Sequence, residues 1–132
     1  MQPGEILTSV LVPNTHAGSG WAYLKFLPRT ADDYGTVAAA SVISKEADGT
    51  CKDVRIVLGS AGVTPIRVTD AEDSLRGEHL TDGNIRAAAA MVRNSVDPLD
   101  DFRGSAEYKI DMAEVFSRRA VEQALAAIPP GK

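Results

Sequence analysis

Cysteine is almost missing from this chain: Cys51 is the only one in 132 residues. An intrachain disulfide is therefore impossible, and a cysteine-built zinc or iron–sulfur site is excluded. A reducing compartment, the cytoplasm, suits such a composition. Aromatic residues are scarce at 5%, and no basic block exists. The 14 Lys and Arg are scattered among 18 Asp and Glu, giving a net charge of −4. Neutralising a phosphate backbone takes clustered cations, so no nucleic-acid partner is expected. Long apolar runs are lacking too. Val37–Ile43 and Ala87–Val92 are the longest, well short of the roughly 20 residues that span a bilayer, and no membrane partner is expected. The opening Met1–Glu5 has neither a basic nor an apolar stretch, so no signal peptide is expected. The motifs of phosphate loops, dinucleotide folds, serine hydrolases and zinc proteases are all missing. His16 and His79 stand alone and read as solvated surface residues, not as metal ligands or bases.

What is present is ordinary in bulk. Apolar residues at 44% and charged residues at 24% describe a globular domain with a real core. The length suits one domain, since domains usually run to about 100–200 residues.

The pattern divides near Thr69, with strands before it and helices after it. Glu5–Val12, Gly20–Leu27, Thr36–Ser44 and Lys52–Gly59 alternate or run apolar and read as four strands. In the second, Trp21, Tyr23, Lys25 and Leu27 share one face, and Ala22, Leu24 and Phe26 share the other. Trp21 reads as core or edge packing. Glu46–Gly49 is a turn, which makes the third and fourth strands an antiparallel hairpin. Pro65–Val68 is extended. Thr69 with Glu72 has the spacing of a capping box for a short helix stopped by Gly77. A second helix starts at Thr81 or Asp82 and closes before Pro98. A third opens at Ser105 and runs to about Ala127, with Ala113, Ala120 and Ala124 on its apolar stripe. Strands first and helices after is an α+β pattern: an antiparallel sheet with three helices packed on one face.

Few residues announce chemistry. Gly59–Gly62 reads as a plain turn more readily than as a phosphate cradle. Cys51 has only Lys52 as a cationic neighbour and is not expected to be reactive. Arg118 and Arg119 read as one solvated arginine and one at a packing contact. The most suggestive stretch is Lys25–Gly35, KFLPRTADDYG. It sets a strand lysine beside an acidic loop, a combination able to position an anionic cofactor; the alternative is a surface hairpin of mixed charge.

That stretch carries a resemblance. PGEILTSVLVP, YLKFLPRTADDYGTVAAA, DVRIVLGSAGVTPIRVTDAEDSLRG and DFRGSAEYKIDMAEVFSRRAVEQAL occur in order over nearly the whole chain. Together they resemble the C-terminal domain of the FAD-binding medium subunit of molybdenum hydroxylases, the carbon monoxide dehydrogenase and xanthine dehydrogenase family. The resemblance implies the same α+β architecture across residues 1–132 as a single domain. It implies an electron-transfer subunit that shares FAD with an N-terminal FAD-binding domain. Its further partners would be a molybdenum-cofactor large subunit and an iron–sulfur small subunit. Lys25 matches the family's cofactor-touching lysine, and Leu7 matches an aliphatic residue near the flavin. Arg29, Asp32 and Asp33 match the loop beside the ring. Lys109 stands where arginine is commoner, and lysine offers no planar fork. Nothing here matches the family's glycine-rich FAD anchors. The chain alone is therefore expected to bind FAD weakly or not at all and to have no turnover, and to self-associate through surface its neighbour would cover. The alternative is a non-catalytic assembly module that keeps the fold without the flavin role; an independent small-molecule enzyme is disfavoured by the missing catalytic pairs.

Overall fold

A computed structural model describes residues 2–12, 18–27 and 34–130. Alternation in the strand half produces a meander of β1 (Gly20–Phe26), β2 (Val37–Lys45), β3 (Cys51–Gly59) and the two-residue β4 (Ile66–Arg67). Neighbours pair antiparallel in the order β1-β2-β3-β4. The β2–β3 hairpin turns through Gly49, which adopts a φ of +90°, and a register shift at Ser44/Lys45 bends its end. Three helices follow: α1 (Thr69–Leu75), α2 (Asp82–Met91), continued by a 3-10 turn at Val92–Asn94, and α3 (Ala106–Ala126).

Side-chain alternation decides which face the helices cover. Val37, Ala39, Ser41 and Ile43 of β2 and Val54, Ile56 and Leu58 of β3 are buried on the closed face. Ala113, Ser117, Ala120 and Ala124 of α3 are buried opposite them. Small residues on both sides let α3 come close. At Gly20 the approach is closest: an added Cβ would stand 1.9 Å from the Ala124 carbonyl oxygen. Phe26 anchors the other end of β1, its ring 5.0 Å from that of Phe116.

The helix starts follow local chemistry at α2 and α3. The Thr81 hydroxyl accepts from the Asn84 amide, and that of Ser105 accepts from the Tyr108 amide. At α1 the capping-box expectation fails. Val68 occupies the cap position without a side-chain bond. Glu72 turns inward and is 0% exposed. Its carboxylate accepts from the Ile56 amide at 2.9 Å, from Arg67 at 2.8–3.2 Å and from Arg76 at 2.9 Å. Burial alone would raise the carboxyl's pKa, but the Arg67 hydrogen bonds, the Ile56 amide and Arg76 outweigh it and hold it below its ordinary 4.5. Tertiary partners have outbid the local backbone for this side chain.

The expected strand at Glu5–Val12 is also corrected. These residues pair with no strand, and Ile6, Leu7, Val10, Leu11 and Val12 are all exposed. An alternating segment becomes a strand only where another backbone supplies its ladder, and no described strand pairs with this one. The four-strand count is met instead by β4 within Pro65–Val68. Among the described residues no helix is long and apolar enough to cross a membrane.

Candidate functional site

Among the described residues, no helix covers the sheet's second face. Its composition differs from that of the closed face at every strand. The rows across β1, β2 and β3 are Trp21–Val42–Arg55, Tyr23–Ala40–Val57 and Lys25–Ala38–Gly59, with Arg67 of β4 beside Val57. Large side chains stand on the β1 edge, where Trp21 is 70% exposed, and arginines stand across from them. Alanine, valine and glycine lie between. Trp21 is thus a rim residue of an open face and not part of the core.

Lys25 stands at one end of this face. The β1–β2 connection closes beside it, where the Thr36 amide donates to the Phe26 carbonyl at 2.9 Å. Gly35 leaves room for the lysine stem: a Cβ there would stand 3.1 Å from Lys25 Cγ. Ala38 and Gly59, the next two residues along the row, leave a flat strip. A Cβ built on Gly59 would meet the Ala38 methyl at 3.6 Å. One cation beside a smooth, shallow strip suits a planar or anionic group laid along the sheet.

Of the other predicted site residues, Leu7 alone lies among the described residues. Leu7 is 67% exposed and lies outside any strand. The described backbone bond of its segment is local, from the Glu5 amide to the Gln2 carbonyl. Arg29, Asp32 and Asp33 lie outside the described residues, as does His16. His79 is exposed and bridges Thr50. Gly59–Gly62 is a bend in which Ser60 takes a φ of +60°. Cys51 is buried, and desolvation together with the nearby Asp53 pushes its thiol up to about 11, so it stays protonated and unreactive. Arg118 pairs with Glu122 at 2.9 Å, and Arg119 lies over the Phe116 ring at 5.4 Å. No group of three or more His, Cys, Asp or Glu among the described residues could hold a metal ion.

Sequence reasoning named Lys109 but missed its burial beneath the α2–α3 connection, which reaches the same end of the sheet. Lys109, in the first turns of α3, is 4% exposed. Its ammonium donates to the Leu99 carbonyl at 2.5 Å and pairs with Asp101 at 2.8 Å. The signal was present in DFRGSAEYK, where a lysine occurs next to the apolar Ile110; its snug fit under the loop was not readable from spacing.

Comparisons with known proteins agree with this architecture. Residues 22–124 match the family described as CO dehydrogenase flavoprotein C-terminal domain. The chain is 39% identical over 126 residues to the carbon monoxide dehydrogenase medium chain of Afipia carboxidovorans, covering 96% of this chain and 43% of that one. It is 38% identical to the nicotine 6-hydroxylase medium subunit of Paenarthrobacter nicotinovorans, over 91% of this chain and 41% of the relative. It superposes with a TM-score of 0.83 and 36% identity on the carbon monoxide dehydrogenase of Hydrogenophaga pseudoflava that lacks the Mo-pyranopterin moiety of its cofactor. That match covers 89% of this chain and 40% of the other. The chain thus spans less than half the length of these relatives.

Proposed function

Because this chain belongs to the family of CO dehydrogenase flavoprotein C-terminal domains, we propose that it forms one wall of the flavin site in an FAD-containing electron-transfer subunit of a molybdenum hydroxylase. The observation that carries the reading is Lys25, an exposed cation beside the flat Ala38–Gly59 strip on the uncovered sheet face. The residues present fit a contributing wall and not a whole pocket: one lysine and a smooth floor, with no glycine-rich phosphate loop in the sequence. FAD, when bound, supplies the electron-carrying chemistry, and the protein supplies position and field. Lys25 offsets negative charge on the cofactor. Leu7 excludes water from one side once its segment is held by a neighbour, and the loop of Arg29, Asp32 and Asp33 sets the local charge near the ring. Residues 1–132 act as a single domain. It works with an FAD-binding domain, a molybdenum-cofactor large subunit and an iron–sulfur small subunit, and has no turnover alone.

The test combines the chain with a candidate FAD-binding domain and measures flavin content and reduction rate. Lys25→Ala is expected to lower both; unchanged values would remove Lys25 from the site. Titrating the chain alone against FAD should leave flavin fluorescence nearly unaltered. Tight binding by the chain alone would overturn the shared-site reading.

A second reading rests on Ile6, Leu7, Val10, Leu11 and Val12, an exposed apolar run. It supports an assembly module that holds a partner protein without touching flavin. In that case Lys25→Ala leaves flavin content intact, while polar substitutions at Leu7 and Leu11 disrupt the complex.

A further inference from the structure

The segment before β1 has the composition of a buried strand and the surroundings of a loop. Ile6–Val12 carries no charge and no proline, and Pro13 ends the run. Ile6, Thr8, Val10 and Val12 are β-branched, the type favoured in strands. Yet none of Ile6–Val12 shares a backbone hydrogen bond with another described residue. Its aliphatic side chains are 67–92% exposed.

Extended backbone sorts these side chains into two rows. Ile6, Thr8, Val10 and Val12 form one row, and Leu7, Ser9 and Leu11 form the other. A strand in a half-solvated sheet has one apolar row and one polar row, whereas a strand apolar on both sides belongs in a sheet covered on both faces. This chain's own sheet does not offer that. β1 has a free edge among the described strands, but Trp21 and Tyr23 on it are 70% and 59% exposed. A strand added there would leave one of its rows in water, and the β1 edge of a second copy would do the same. The host is therefore a different sheet.

The relatives have polypeptide to supply one. The family's domain match begins at residue 22. The match to the Afipia carboxidovorans medium chain runs over 126 of the 132 residues and so takes in Leu7–Val12. Only 43% of that relative is matched, which leaves the greater part of its length for a further domain.

We propose that Ile6–Val12 is a donated strand. It pairs along the sheet edge of a neighbouring domain, and apolar side chains of that domain close over both of its rows. The inference rests on the reading that this chain works with an FAD-binding domain, and it adds how the two are joined. A wall of the flavin site asks only for the row of Leu7. Strand donation asks equally for the row of Val10, on the opposite side.

The test mixes the chain with the candidate FAD-binding domain and measures affinity by calorimetry for the parent, Leu7→Asp and Val10→Asp. Both positions are exposed in the chain itself, so melts of the variants alone should match the parent's. A carboxylate pressed into an apolar layer is costly, and each variant should weaken binding about tenfold or more. Amide hydrogen exchange in the complex should show protection at every second residue of Ile6–Val12, the spacing of an edge strand. Parent affinity in Val10→Asp, or protection at three- to four-residue spacing, overturns strand donation; flavin retained in that complex leaves the Lys25 reading standing. Weakened binding in both variants, with full flavin content in Lys25→Ala, keeps the strand and overturns the flavin wall. Failure of the parent chain to bind overturns both. A parent chain that is dimeric by light scattering and monomeric in both variants overturns the neighbouring domain in favour of a second copy.

Discussion

The two faces of one sheet are built on different rules. The closed face carries Ile43, Val54, Ile56 and Leu58, none of them more than 1% exposed. The open face carries alanines, a glycine and valines between exposed aromatics and arginines. The first arrangement gains from burying apolar area against α3 and α1. The second buries less: Ala38 is buried, Ala40, Val42 and Val57 are half-buried, and Trp21 and Tyr23 stay exposed. The contrast separates the face that holds the fold from the face left open to solvent.

The sharpest way to break that contrast is to strike beneath the closed face. Removing the carboxylate in Glu72→Ala leaves the Ile56 amide and Arg67 without this acceptor, while Arg76 keeps Asp53, Asp73 and the Val54 carbonyl. A stability loss of about 3–5 kcal/mol is expected in denaturant melts, from the lost charge-assisted hydrogen bonds and the unpaired Ile56 amide. The same group predicts acid sensitivity. Its folded pKa lies below the ordinary 4.5, so its stabilisation is complete above that value. It is lost as pH falls through the folded value, because the unfolded carboxyl binds the proton first. Melts in Glu72→Gln should be flatter across that acid window than those of the parent. Next in size is Ile43→Ala, at about 2–5 kcal/mol from lost burial and the cavity left behind. Gly20→Ala should cost about 1–3 kcal/mol, since its methyl must push α3 off the sheet. On the open face, Trp21→Ser and Tyr23→Ser should each stay within about 0.5 kcal/mol. A large loss there would mean that the open face stabilises the chain and would erase the distinction between faces. The smallest effect is chemical. Cys51, with its thiol pushed up to about 11, should resist iodoacetamide at neutral pH until denaturant is added.

Much of this contrast could be read before any coordinates. The period-two pattern in β1 placed Trp21, Tyr23 and Lys25 together and Ala22 and Leu24 opposite them, because strand geometry leaves no other choice. The caps at Thr81 and Ser105 were legible since each depends only on a neighbour three residues on. Glu72 was not legible. Its spacing from Thr69 fits a capping box, yet its partners Arg67, Ile56 and Arg76 meet it through tertiary packing. Glu5–Val12 misled for the opposite reason: its alternation is genuine, but the backbone that would pair with it is not among the described strands. Within the candidate site, Lys25 was singled out by its strand and its family pattern, and its place on the open face of β1 was legible from the alternation. The burial of Lys109 escaped notice because it arises where distant connections converge, and no local signal encodes that meeting.

The crossing at Gly20 has a consequence for how this body can be hung in a larger assembly. An added Cβ there would lie 2.7 Å from the Ile128 amide nitrogen as well as near Ala124, so the start of β1 and the end of α3 leave the body at one corner. Polypeptide joined upstream of β1 and downstream of α3 would depart side by side. Tethering at that corner lets the rest of the surface be re-cut for a new neighbour without unpicking the core, which is how a small module keeps its fold while its company changes.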